Sequence, residues 1–143
     1  MPHYLGKRIA ALGIAIAVVN GLATIFYWYS SIWWFDMPMH FAGGLFIGLL
    51  AYSILASLEI PFMQRLRERS SPVVAIIIVV AIIGVGWEIF EYALQYFSGA
   101  QFANPLDSVS DFFFDLAGAA AAGLYLLRKL ASIRATRLDP DAI

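Results

Sequence analysis

Four long apolar segments dominate this sequence and constrain its fold more than any other feature. They run approximately over Ile9–Tyr29, Pro38–Leu58, Val73–Phe97 and Ser108–Leu130. Each is close to or above the ~20 residues that a helix needs to cross the ~30 Å hydrocarbon core of a bilayer. Because 62% of the 143 residues are hydrophobic, a soluble domain of this size could not bury them, and lipid is expected to solvate the chain.

The spans are predicted to be helices, because backbone groups in lipid must form hydrogen bonds within the protein. The fold class is therefore all-α: a polytopic membrane protein with a four-transmembrane-helix bundle. Residues 1–143 are predicted to form a single transmembrane domain whose polar C-terminal tail covers residues 131–143. The chain has no cysteine, which excludes disulfides and thiolate ligands.

The positions of the basic residues predict the orientation. All nine Lys and Arg residues fall before the first span, between the second and third, or at and beyond the end of the fourth. The loops at 30–37 and 98–106 contain none. By the positive-inside rule, both termini are predicted to be cytoplasmic. Aromatic residues crowd the opposite side and predict an interfacial belt: Phe26, Tyr27, Trp28, Tyr29, Trp33, Trp34, Phe35, Tyr96 and Phe97.

Six of the ten acidic residues belong to the predicted outer half of a span or to its outer cap. At a rise of ~1.5 Å per residue, three spans bring ionisable groups to one layer. Spacings of three or four residues place each set on one face of its helix. The residues predicted to form one metal site are Asp36, His40, Glu88, Glu91, Asp107, Asp111 and Asp115.

This cluster needs a neutralising partner, because no Lys or Arg accompanies it in sequence. A single Asp at the centre of a membrane helix costs about 2.5–3.5 kcal/mol on insertion scales, and repulsion between acids adds to that. A divalent metal ion, protonation or a water-filled vestibule would offset the cost. Carboxylates with one imidazole suit Zn, Mn, Fe, Mg or Ca, so a divalent ion is the predicted cofactor. Glu88, deep and far from a helix cap, is the predicted catalytic base.

Most of these residues also have a simpler explanation. Asp36 and Asp107 stand where helix N-caps occur, and capping explains each alone as well as ligation does. Asp111 could complement the helix dipole. His40 alone would be a hydrogen-bonded core histidine, and Glu91 could face water at the interface.

The remaining features of the spans concern packing. The first span contributes no ionisable group to the cluster and is expected to be a scaffold, from which Asn20 and Thr24 could reach a neighbour. Gly44, Gly48 and the segment Gly118–Gly123 offer small surfaces for close helix packing. Trp87 is expected to face lipid or to pack.

Three motifs carry a family resemblance: Asp36-Met37-Pro38-Met39-His40-Phe41, Glu88-Ile89-Phe90-Glu91-Tyr92, and the ladder Asp107, Asp111 and Asp115 that leads to Gly118. They resemble motifs of the YjdF-like and VanZ-like families of small bacterial membrane proteins. The VanZ-like pattern has Lys, Gln and Asn at the positions of Met37, Glu91 and Asp115, so the YjdF-like pattern is more similar. The resemblance implies a multi-pass protein of the bacterial inner membrane whose acidic motifs form the functional site. VanZ-like proteins are associated with low-level glycopeptide resistance, which implies an envelope role.

Three functions are compatible with these features. The first is a metal-dependent hydrolase or transferase that acts on a lipid or lipid-linked envelope substrate at the outer leaflet. The second is a structural or accessory subunit whose acidic network holds the helices together. The third is a proton or cation transporter. Membrane lipids and a lipid-linked substrate are the expected partners, no nucleic acid is expected, and no oligomer is specifically predicted.

Overall fold

The computed structural model describes residues 3–57, 72–98 and 105–138, with side chains within 5–57, 73–98 and 106–133. All regular structure in these ranges is helical. Four helices are long and apolar enough to cross a membrane, which confirms the predicted four-span, all-α fold. The helices are α1 (His3–Ile25), α2 (Trp28–Ser31), α3 (Asp36–Ser57), α4 (Pro72–Ser98) and α5 (Pro105–Leu138).

The first span ends earlier than predicted, at Ile25 rather than Tyr29. Tyr27 has a left-handed backbone with φ 56°, which an α-helix of L-residues cannot continue. The hydroxyls of Ser30 and Ser31 both donate hydrogen bonds to the Tyr27 carbonyl and hold the turn in place. The chain then forms the single turn of α2, none of whose residues is buried, before α3 begins at Asp36.

The last helix is longer than predicted and continues to Leu138 instead of ending at Leu130. Part of the expected polar tail is therefore helical, while residues 139–143 lie outside the described residues. The basic loop with Arg65, Arg67 and Arg69 also lies outside them, as does the segment 99–104.

The two ends of the bundle differ in charge. Contacts between the spans show that α3 and α5 run parallel, with α1 and α4 antiparallel to them. The beginnings of α3 and α5 therefore lie beside the end of α4 and carry Asp36 and Asp107, and we call this the acidic end. The opposite end carries Arg8 and Arg128 and is called the basic end. Which end faces the cytoplasm stays a prediction.

The closest packing in the bundle is the crossing of α3 and α5. A Cβ atom on Gly44 would collide with the Asp115 backbone, and one on Gly118 would collide with the Phe41 carbonyl and the Leu45 amide. The predicted small-residue packing is confirmed for this pair. Such contacts require glycine, because only a residue without a side chain lets two helix backbones approach so closely.

An apolar core lies below this crossing, towards the basic end. Its most buried members are Ile76 and Val80 of α4, which pack against alanines of α5 and leucines of α3 and α5. At the basic end, the Arg8 guanidinium donates a hydrogen bond of 2.6 Å to the Tyr125 hydroxyl and lies over its ring. The core thus joins all four spans.

Helix α1 is the most loosely attached span. It packs against α3 and hardly touches α4, and much of its surface is exposed where a membrane would supply lipid. The aromatic turn after α1 is partly folded back, because Phe35 is buried and its ring contacts those of Trp28 and Tyr29. The other aromatic side chains of this turn remain exposed, as expected for an interfacial belt.

Candidate metal centre

The candidate centre begins with the first two turns of α3. Asp36 lies in the first turn and His40 one turn later on the same face, as their four-residue spacing requires. The Nε2 atom of His40 is 3.5 Å from Oδ1 of Asp36. Both residues belong to the motif that the sequence singled out, and the structure brings them together.

Helix α5 supplies two further carboxylates from successive turns. The crossing at Gly44 and Gly118 places these turns directly opposite His40. Asp111 Oδ2 is 3.9 Å from His40 Nε2, and Asp115 Oδ1 is 3.3 Å from His40 Nδ1. The histidine side chain, 9% exposed, is therefore surrounded by carboxylates on both edges of its ring.

The two ring nitrogens of His40 have different neighbours, and this divides the acids into two roles. In the tautomer with hydrogen on Nδ1, the ring donates a hydrogen bond to Asp115. The Nε2 lone pair then points towards Asp36 and Asp111. Metal-bound histidines commonly have this arrangement, in which a carboxylate on one nitrogen orients the ring and the other nitrogen binds the ion.

Asp111 is the most deeply buried acid of the group. Its side chain is 6% exposed, and Oδ1 has no hydrogen-bond partner among the described residues. A carboxylate withdrawn from water costs several kcal/mol unless a counter-charge and hydrogen bonds compensate it. The donor set therefore fits a cation bound between α3 and α5, and capping or dipole effects alone do not account for Asp111.

Asp115 owes its position to a glycine on a third helix. A Cβ atom on Gly84 of α4 would lie only 3.0 Å from Asp115 Oδ2. A larger residue at Gly84 would push the carboxylate towards His40 or out of the bundle. The small residue on α4 thus holds space for the acid that orients the histidine.

Glu91 has a partner of its own on α4. The Trp87 indole N–H donates a hydrogen bond of 2.8 Å to Glu91 Oε1, across one helical turn. Trp87 is half-exposed, but it also lines a cavity beside the centre together with Glu91. Our expectation that Trp87 serves only for packing or faces lipid missed this polar contact.

Glu88 and Asp107 stand apart from the His40 group. Glu88 is half-buried and close enough to interact electrostatically with Asp36, Glu91 and Asp111, but it lines neither of the cavities at the acidic end. Asp107 is exposed in the first turn of α5. Their assignment as metal ligands stays a prediction.

Tyr29 lies at the acidic end of the bundle and contacts α1. Its hydroxyl donates a hydrogen bond of 2.7 Å to Asn20 Oδ1, which confirms that Asn20 reaches a neighbour. The Thr24 hydroxyl instead donates to the Asn20 carbonyl within α1. Burial, together with the nearby charges of Asp36 and Glu91, raises the pKa of the Tyr29 hydroxyl. The tyrosine is therefore a neutral hydrogen-bonding group at the rim of the site.

A cavity of about 470 Å³ adjoins the centre, which is within the usual range for small-molecule sites. Asp36, His40, Glu91 and Asp115 line its polar end. A smaller cavity of about 280 Å³ lies on the far side of Asp36 and is lined by four carboxylates: Asp36, Glu91, Asp107 and Asp111. Asp36 and Glu91 thus separate the two spaces.

Sequence reasoning missed Gly84 and Tyr29 as parts of this site. Gly84 precedes Glu88 by four residues and Glu91 by seven, a spacing that places all three on one helix face and could have indicated it. For Tyr29 no such signal exists, because its position depends on the left-handed turn at Tyr27.

Residues 6–132 match the model of a family described as "Predicted membrane protein (DUF2238)". The chain belongs to this family. The match includes every residue of the candidate centre and nearly all of the four spans. The description supports a membrane protein and carries neither the YjdF-like nor the VanZ-like name. No curated protein and no solved structure matches the chain.

Proposed function

We propose that Asp36, His40 and Asp111 bind a divalent metal ion, which the protein uses to act on a lipid or lipid-linked substrate. One ligand atom from each residue lies within 4.8 Å of the others, and this convergence carries the proposal. An ion with bonds of ~2.0–2.1 Å separates neighbouring ligand atoms by roughly 3–4 Å. The distances from His40 Nε2 to the two carboxylates, 3.5 and 3.9 Å, are close to that.

The ligand chemistry limits the identity of the ion. Two carboxylates and one imidazole suit Zn, Mn or Fe, and additional oxygen ligands would suit Mg or Ca. Asp36 is 37% exposed, so a substrate could approach the ion from its side of the centre. The side chains of Asp111 and His40 are nearly enclosed and would hold the ion from below.

The bound ion would supply Lewis acidity, polarising a phosphoryl or carbonyl oxygen or lowering the pKa of a bound water. The chain's own residues would do the rest. Of the acidic pair on α4, Glu88 is the proposed general base, and Glu91, which lines the cavity, would bind the substrate. The Trp87 hydrogen bond would hold the Glu91 carboxylate towards the cavity.

The cellular setting is proposed from the sequence. The basic residues favour cytoplasmic termini, which would place the acidic end in the outer leaflet of a bacterial inner membrane. The motif resemblance to YjdF-like proteins supports an envelope role. A substrate from the lipids of that leaflet would then be next to the centre.

A structural role is the second candidate, and one observation favours it. The contact between His40 and Asp115 joins α3 to α5 one helical turn from the closest approach of their backbones, at Gly44 and Gly118. An ion bound here would stabilise the crossing of α3 and α5, and this role requires no catalytic activity. A transport role has less support, because the cavity beside the centre ends on the apolar side chains of Ile47 and Val80.

Elemental analysis of purified protein tests the metal assignment. We expect about one divalent ion per chain in the wild type and a loss of most of it in His40→Ala and Asp111→Asn. The matched control Asp107→Asn, in the same helix but at an exposed position, should retain the ion. Wild-type protein without metal, or equal metal in all variants, would refute the site.

A turnover assay separates the enzyme from the structural subunit. Metal-loaded protein in vesicles that contain a panel of lipids should release phosphate or a modified lipid, and Glu88→Gln should abolish this while keeping its metal. If metal-loaded protein modifies no lipid but melts when the ion is removed, the structural role is correct.

A further inference from the structure

The cavity of about 470 Å³ beside the metal centre is amphipathic along its length. Its polar end holds Asp36 and Glu91, and its far end is lined by Ile16, Ile47 and Val80. Counted at ~1.5 Å per residue, it extends about 10 Å along α3 from His40 to Ile47 and about 16 Å along α4 from Glu91 to Val80. It therefore reaches from the acidic layer to about the middle of a ~30 Å hydrocarbon core.

The cavity lies between two separated spans, α1 and α4. Its walls include Ile16 and Asn20 of α1 and Ile83 and Trp87 of α4, yet these two helices hardly touch. Ile83 and Trp87 are each about half-exposed. In a membrane, this gap between α1 and α4 faces acyl chains, so a lipid could reach the cavity sideways without leaving the bilayer.

The polar end has a definite charge preference. Among the described residues, the cavity lining contains three carboxylates and one histidine, and no Lys or Arg. The Tyr29 hydroxyl and the Trp87 indole already donate to Asn20 and Glu91, so both of these donors are occupied. The centre uses the other two carboxylates of the lining, so Glu91 remains as the free acceptor, beside two aromatic rings. Carboxylates and aromatic faces together attract an ammonium group.

We propose that this cavity binds a lipid with an amine head group: the ammonium group lies at Glu91 between Tyr29 and Trp87, and one hydrocarbon chain occupies the apolar part. This proposal deepens the proposed function, on which it rests, by naming the substrate class. The phosphate of such a lipid would then lie towards the Asp36–His40–Asp111 centre. The alternative occupant, an anionic lipid drawn in by the metal alone, is a separate outcome of the test.

Gly43 supplies a clean way to test occupancy. It lines the cavity, and a Cβ atom built on it meets no atom within 4 Å. Gly43→Leu should therefore fill the cavity without disturbing the helices. Gly86→Leu is the matched control, because its Cβ also meets nothing within 4 Å and Gly86 does not line the cavity.

The experiment uses full-length protein in a sugar-head-group detergent, titrated with lysophosphatidylethanolamine or with lysophosphatidylglycerol of the same chain length. Native mass spectrometry counts the bound lipid. We expect the amine lipid to bind the wild type at least about tenfold more tightly than the anionic one, consistent with one charge-assisted contact. Glu91→Gln should lose this preference.

The cavity variants test the place of binding. Gly43→Leu should lower the affinity for the amine lipid by about tenfold or more, and Gly86→Leu should leave it unchanged. Ile83→Trp narrows the opposite wall and provides the same test if Gly43→Leu does not fold. Equal binding of the two lipids, preference for the anionic one, or unchanged affinity in the folded cavity variants would overturn the proposal.

A metal-free arm separates this proposal from the one on which it rests. The same titration is repeated after chelation and with His40→Ala. If the amine lipid is bound but the wild type as purified contains no metal, the metal site is refuted and the lipid site stands. If metal is bound but the amine lipid is not preferred, the metal site stands and the lipid site is refuted.

Discussion

The crossing of α3 with α5 and the gap between α1 and α4 are a tight and a loose part of this bundle. At the crossing, backbones touch, and the distances from His40 to Asp111 and Asp115 follow from that contact. At the gap, a cavity of about 470 Å³ separates the helices. Under the two proposals, close packing fixes the geometry of the metal-binding side chains, and loose packing leaves room for a lipid.

Two adjacent glycines show this difference most directly. Gly44 faces α5, where even a Cβ atom would collide with the Asp115 backbone, while Gly43 faces the cavity, where a Cβ atom meets nothing. The two residues have the same chemistry and neighbouring positions on α3. Their opposite surroundings follow only from the direction in which each points.

The largest effect is expected from substituting the two adjacent glycines, Gly43 and Gly44. Gly44→Leu should destabilise the protein by about 3 kcal/mol or more, because α5 must move away, and it should also lose the metal. Gly43→Leu should change the free energy of unfolding by no more than about 0.5 kcal/mol. Unfolding in mixed micelles measures both, and similar losses in the two variants would contradict the packing described here.

Metal removal should have the next largest effect, and it should act on the crossing. At a free metal concentration of one hundred times Kd, binding stabilises the folded state by about 2.7 kcal/mol. Chelation should therefore lower the Tm of the wild type. Asp111→Asn should hardly respond, since it lacks a ligand and no longer buries an uncompensated charge. A wild-type Tm that is independent of metal would speak against the site.

Asp115→Asn tests whether the acid on His40 Nδ1 orients the ring. We expect the metal to remain bound with an affinity that is lower by about 10–100-fold, as for other residues that support a metal-bound histidine. Competition with a fluorescent chelator measures this change. Asp107→Asn is the comparison variant and should leave the affinity unaltered. Complete metal loss in Asp115→Asn would instead make Asp115 a ligand.

The smallest effect is expected on the loose side. Trp87→Phe keeps an aromatic ring but removes the hydrogen bond to Glu91, and should cost about 0.5–1 kcal/mol because the pair is partly exposed. Trp33→Phe, at a side chain that is 83% exposed, should cost less. Unfolding experiments on both variants compare them, and equal costs would mean that the Glu91 contact contributes nothing.

Much of the fold could be predicted from hydrophobicity alone. The four spans appear as apolar runs long enough to cross a bilayer. Backbone groups in lipid must form hydrogen bonds within the protein, and a helix satisfies this requirement. The end of α1 could not be predicted, because Tyr27 adopts its left-handed backbone through contacts of Ser30 and Ser31 that no composition rule shows. Glycine spacing indicated that α3 and α5 carry packing surfaces but not that these two surfaces meet.

The candidate site was predicted only as a set of seven residues. Helical spacing and depth placed them in one layer, which is a property of each helix taken singly. In the structure, the rotation of each helix about its own axis brings some of these seven residues together and keeps others apart. Asp36, His40 and Asp111 converge, Asp115 takes the other side of the histidine ring, and Asp107 remains exposed.

The sequence by itself determined that this chain has four helices able to cross a membrane and carries six of its ten acids in one layer near one end, since both follow from composition and the rise of a helix. Only the tertiary structure decided which acids meet His40, that Gly43 borders a cavity while Gly44 borders a backbone, and that α1 stands away from α4. These features depend on how helices are rotated and paired. That choice is made by packing between residues far apart in the chain, which no local pattern records.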